Sequence, residues 1–222
     1  MKQIKKAKFS FQFCSRLIIR ELTGIKAHNL DELLSHVKTV PGAVIYHHTH
    51  HFLQLHQYLV PEPPNDFAYW VDTSLGYHDL SERLASINTC DYRTIRDLRE
   101  RIIAVLEKFI SEGKASRESN VGEEFYFIKS VSIAFNTPYE VRTLEEFLDV
   151  LKRISIDAIY YHMFEAPLRL EKEGNDFSMW IREQLDMGEL ADKIDCLDPY
   201  THTMEGLRNK LVRVVEDYLF KV

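Results

Sequence analysis

A unit that occurs twice constrains this chain more than any other feature. Leu30 to His48 reads LDELLSHVKTVPGAVIYHH, and Leu144 to His162 reads LEEFLDVLKRISIDAIYYH. Without a gap, seven of nineteen positions are identical: Leu30/Leu144, Glu32/Glu146, Leu34/Leu148, Lys38/Lys152, Ile45/Ile159, Tyr46/Tyr160 and His48/His162. Asn65, Asp66, Phe67 and Trp70 return as Asn175, Asp176, Phe177 and Trp180. A repeat acts as a filter. Chemistry present in both copies belongs to the common scaffold, and chemistry present in one copy is specialisation or drift. The 222 residues then divide into two lobes of roughly 100 residues, each large enough to bury a core. The expected layout is a first lobe over 9–112, a polar linker over 113–123 and a second lobe over 124–222.

Each copy opens on alternating aromatics, Phe9, Phe11 and Phe13, then Phe125 and Phe127. Spacing of two predicts a strand with one buried face. Thr23-Gly24 and Asn136-Thr137-Pro138 read as turns that end those strands. Asn29 with Glu32, and Thr143 with Glu146, predict capped helix starts, because the short side chain takes an early helix N–H and the acid reaches back. Leu30, Leu33, Leu34 and Val37, like Leu144, Phe147, Leu148 and Leu151, fall on one helical face. The apolar runs Ala43–Tyr46 and Ala158–Tyr161 predict short buried strands. A helix with His48, Phe52, Leu55, His56 and Leu59 inward is expected next in the first copy. Asn65 and Asn175 then read as N-caps, and a striped helix closes each copy (Leu98 to Phe109, Leu207 to Tyr218). The expected fold is α+β, mostly helical with short β-strands, its two lobes related by a pseudo-twofold axis and their first strands joined in one small sheet.

The net charge of −6 argues against a nucleic-acid binder working through a general basic field. No run reaches the roughly 18 apolar residues of a membrane helix. Cys14, Cys90 and Cys196 lack CxxC spacing and fall at no equivalent positions, which reads as reduced thiols in a cytoplasmic protein. The chain has no GxGxxG, no P-loop and no G-x-S-x-G elbow, so no catalytic residue is assigned.

Two sets of residues are candidate sites. His47, His50 and His51 share one side of a helical turn, and an i, i+4 imidazole pair suits a divalent transition metal. The second copy keeps only His162, so a metal there would be a speciality of the first copy. The repeated set is His48, Asp66 and Trp70 with His162, Asp176 and Trp180. An aromatic beside a carboxylate suits a ligand. The structural alternative is a core histidine satisfied by a neighbour and an ordinary capped helix start. His78-Asp79 superficially matches metal-dependent phosphohydrolases, but Gly188-Glu189 at the equivalent place favours first-turn acids instead.

The stretches Leu22–Gly24, Val40–Gly42, Ile45–His48, Pro63–Ala68 and Arg93–Leu98 resemble a bacterial family known only as a domain of unknown function, over nearly the whole chain. That resemblance implies no activity. The reading is therefore a cytoplasmic, non-catalytic binding or regulatory module that takes a protein partner or a small ligand. The alternative is a metal-dependent, hydrolytic enzyme using His47–His51. Homodimerisation through aromatics of the final helices is a further expectation.

Overall fold

The computed structural model describes residues 5–51, 65–92, 94–113, 115–165, 168, 174–197 and 204–220. The fold is α+β and mostly helical. The first copy runs β1 (Phe11–Ala27), α1 (Leu30–Thr39), α2 (Gly42–Tyr46) with a π-helical turn (His47–His51), α3 (Asp66–Thr73), α4 (His78–Ala85) and α5 (Ile95–Ser111). The second runs β2 (Phe125–Val141), α6 (Leu144–Leu151), α7 (Ile156–Tyr160) with a π-helical turn (Tyr161–Glu165), α8 (Asp176–Leu185), α9 (Gly188–Asp195) and α10 (Met204–Phe220).

β1 and β2 pair in a two-stranded antiparallel sheet. Their side-chain bridges run in opposite senses. Thr23 Oγ1 near the end of β1 donates to Phe127 O near the start of β2 (2.6 Å), and Thr137 Oγ1 donates to Phe13 O (2.7 Å). The strands are long, 17 residues each. The expected turns at Gly24 and Pro138 lie inside them. Each of these threonines hydrogen-bonds across to the partner strand and accepts the N–H two residues on (Ile25 at 3.1 Å, Tyr139 at 3.3 Å), so the chain continues where glycine and proline signalled a break. Gly24 has φ +77°, a local irregularity that glycine absorbs within a strand.

Two compact units result, and their boundaries do not follow the repeat. One unit is the continuous segment Ile18–Val131 (unit 2), and the other combines Met1–Leu17 with Ser132–Val222 (unit 1). Unit 2 thus reads strand, helices, strand. Unit 1 has the same parts in permuted order, because its closing strand comes first in the chain. Phe11 and Phe13 accordingly pack with the helices of the second copy, within 6.0 Å (ring centroids) of Phe147 and Phe177. Phe125 packs with the first copy, 5.2 Å from Phe67 and 5.6 Å from Trp70. Phe13, Phe67, Phe127, Phe147 and Phe177 are fully buried, each worth about 2 kcal/mol relative to exposure.

The helix starts follow the caps. Asn29 Oδ1 accepts from Glu32 N (2.9 Å), while Glu32 reaches back to His28 N (2.8 Å). Thr143 and Glu146 form a full capping box. Ala43–Tyr46 and Ala158–Tyr161, expected as strands, are helical. A four-residue apolar run has no period that separates a buried strand from a buried helical turn, and Ser155 Oγ caps the second of these at Ala158 N (3.2 Å). The expected helix face through Phe52, Leu55, His56 and Leu59 lies outside the described residues. Among the described residues no helix is long and apolar enough to cross a membrane.

Candidate functional site

The repeated histidines sit at the same place in the two units, on the π-helical turn behind the closing strand. In unit 2, His48 is 2 % exposed. Its Nδ1 lies 2.6 Å from Asp66 Oδ2 and its Nε2 accepts the Ile128 backbone N–H at 2.9 Å. In unit 1, His162 Nδ1 lies 3.0 Å from Asp176 Oδ2 and its Nε2 accepts the Cys14 N–H at 2.8 Å. A nitrogen that accepts an N–H bears no proton, so each ring carries its proton on Nδ1 and donates it to the carboxylate. Asp66 and Asp176 are in turn fixed as first residues of α3 and α8, whose caps Asn65 and Asn175 accept from Ala68 N and Ser178 N, both at 2.9 Å.

The repeated tryptophans complete the grip. Trp70 Nε1 donates to Glu123 O (2.6 Å) and Trp180 Nε1 donates to Phe9 O (2.9 Å). Each unit therefore holds an extended segment by one backbone carbonyl, two phenylalanine side chains and one backbone N–H. This is strand recognition of the kind in which main-chain bonds give affinity and side-chain pockets give selectivity.

Around this common frame the two units differ. In unit 2, His47 Nδ1 meets Ser130 Oγ at 2.7 Å. Thr49 Oγ1 donates to Ile45 O (2.7 Å), which leaves His50 Nδ1 as the donor in the 3.0 Å bond between His50 and Thr49. The His50 ring stacks on Tyr46, with centroids 5.5 Å apart, and burial lowers its pKa to about 4. In unit 1 the residue aligned with Ser130 is Arg16, which forms a buried ion pair with Glu165 and lies 4.2 Å over the Tyr160 ring. Tyr161, Met163 and Phe164 stand where unit 2 has His47, Thr49 and His50.

His47, His48 and Asp66 each offer an atom of metal-ligand type, all within 4.8 Å of one another. Two histidines and a carboxylate are a suitable donor set for a divalent transition metal. His48, however, is engaged at both nitrogens. To ligate a metal it must surrender the Ile128 N–H or the Asp66 bond, and a ring that keeps the N–H while binding metal through Nδ1 would have to lose both protons. The same dyad in unit 1 makes the same strand contact with Tyr161 in place of a second histidine.

A family model matches residues 8–216 and is described as a family of unknown function, DUF5752. The chain belongs to this family. The solved structure of OrfY from Thermoproteus tenax is similar along its length, with a TM-score of 0.83 and 31% identity, covering 96% of this chain and 98% of that one. No curated protein matches.

The sequence-derived candidates fall into distinct roles. His48, Asp66 and Trp70, with His162, Asp176 and Trp180, come together as strand grips. Of the metal candidates, His47 faces Ser130, His50 turns to Thr49 and Tyr46, and the side chain of His51 lies outside the described residues. His78 Nδ1 pairs with Asp72 (2.5 Å) on the surface, and Asp79 pairs with Arg83 (2.7 Å), as first-turn acids do. Ser130, Thr49, Arg16 and Glu165 were not singled out from the sequence. Their signal was a change of polarity between aligned positions, Arg16 against Ser130 above all.

Proposed function

We propose that this protein is a non-catalytic binding or regulatory module of the cytoplasm, with a protein partner or a small ligand as its target. One observation carries this reading. The polar chemistry common to both units, His–Asp and Trp, is spent on gripping backbone and not on a reacting atom. Specific recognition then belongs to what differs between the units, which unit 2 supports from within through the buried set His47, Thr49, His50 and Ser130. Net charge of −6 keeps nucleic acid out of the partner list. Cys14 and Cys196 as free thiols favour a reducing compartment.

The test is native enrichment from host lysate, comparing the full chain with a variant that imports unit 1 chemistry, His47→Tyr with Thr49→Met and His50→Phe. A stoichiometric partner or co-purifying small molecule that the variant loses is the expected result. Metal-dependent turnover that the variant loses would overturn it. The second reading, a divalent transition metal at His47, His48 and Asp66, rests on their 4.8 Å grouping. It requires near one equivalent of metal by elemental analysis of untagged protein.

A further inference from the structure

The closing strand of unit 1 stands in a different position from that of unit 2. Unit 2 is continuous from Ile18 to Val131, so its strand is joined to its helices within the unit. Unit 1 receives Phe11–Leu17 from a segment that connects to the rest of unit 1 only through the whole of unit 2. What unit 1 recognises is local to that strand: Phe9 O at Trp180, Phe11 and Phe13 among Phe147 and Phe177, and Cys14 N–H at His162. Ser15 Oγ adds a bond to Ser155 Oγ at 3.2 Å. Arg16 adds its buried ion pair with Glu165, and beyond Arg16 the strand is accessible, with Leu17 61% exposed.

We propose that the Phe9–Arg16 strand of a second copy of this chain can occupy unit 1, giving a reciprocal strand-exchanged dimer. Every contact of the closed chain is kept in the exchanged pair, because the incoming strand is the same sequence. The balance is set by the free energy of opening the strand and by protein concentration. A tethered strand has an effective concentration on the millimolar scale, so the dimer grows in concentrated protein and on warming that opens the strand. Exchange of this kind is confined to unit 1. It is independent of the recognition proposed for His47 and its neighbours.

Cysteine trapping tests it in the full chain. Ser15→Cys and Ser155→Cys are made in separate chains with the native cysteines replaced by serine, then mixed, warmed and oxidised. The expected result is a disulfide between the two chains, increasing with concentration up to about 1 mM. The two substitutions in one chain check the geometry by closing within that chain. Closure there, with no crosslink in the mixture, overturns the proposal. Sedimentation of the unaltered chain over the same concentrations needs no variant. A monomer throughout overturns it, as does a dimer that the mixed cysteines fail to trap.

Discussion

Replacing His48 with phenylalanine keeps a ring of similar size among Phe67 and Phe125, whose centroids lie 5.6 and 4.7 Å away, and removes its two polar contacts. The Ile128 N–H then has no acceptor at Nε2, and Asp66 loses its imidazole donor. A donor left without its partner costs about 1–3 kcal/mol. Asp66 is more accessible than the ring (27% against 2%), so water replaces most of its loss, and about 2 kcal/mol is expected for the whole change. His48→Ala adds a cavity and should cost about 4 kcal/mol. His162→Phe removes the same contacts to Cys14 and Asp176 and should cost a similar amount. Urea unfolding followed by circular dichroism and tryptophan fluorescence reads these losses, Trp70 reporting on unit 2 and Trp180 on unit 1. Equal costs in the two units are the expected outcome. A neutral His48→Phe beside a costly His162→Phe would refute the anchoring role of His48. Loss of bound metal without loss of stability would point to a ligand instead.

Three other outcomes follow from single contacts. His50 is neutral in the fold, with its pKa lowered by burial from 6.5 to about 4. Above pH 6.5 neither state is protonated there. Below it the unfolded chain takes up a proton that the fold refuses, so stability should fall by about 3 kcal/mol between pH 6.5 and 4, and His50→Phe should flatten that slope in unfolding measured against pH. Glu165→Gln removes the charged partner of the buried Arg16, with the half-exposed Asp157 carboxylate 3.9 Å away, and should cost about 3 kcal/mol, of which Arg16→Met with Glu165→Met should recover most in the same assay. Thr143→Ala removes the capping box of α6 and should lower stability by about 1 kcal/mol in thermal unfolding.

Capped helix starts and long amphipathic helices were legible in the sequence because their cause is local, whereas the short apolar runs and the Gly24 and Pro138 signals were not. Caps at Asn29, Asn65, Thr143 and Asn175 and the stripes of α5 and α6 are written in neighbouring residues. The joining of the first strands in one sheet was also readable from their matched phenylalanines. The ownership of those strands was not. Phe11 and Phe125 are aligned residues, and each finds nearly the same pocket in either unit, so the pattern is satisfied whether a strand docks on its own copy or the other. The roles of His48 and His162 were half legible: repetition favoured a structural part, but the partner N–H lies on a strand remote in sequence. His47 and Ser130 could not be joined by any spacing rule, since 83 positions separate them.

The most direct test of this account is to express two fragments and ask which folds. Residues 18–131 contain the unit 2 core, including Phe125, Phe127 and the strand that His48 and Trp70 hold. Residues 9–112 follow the sequence repeat and lack that strand. The account predicts cooperative unfolding and a dispersed amide spectrum for 18–131, and neither for 9–112. A folded monomeric 9–112 beside an unfolded 18–131 would contradict it.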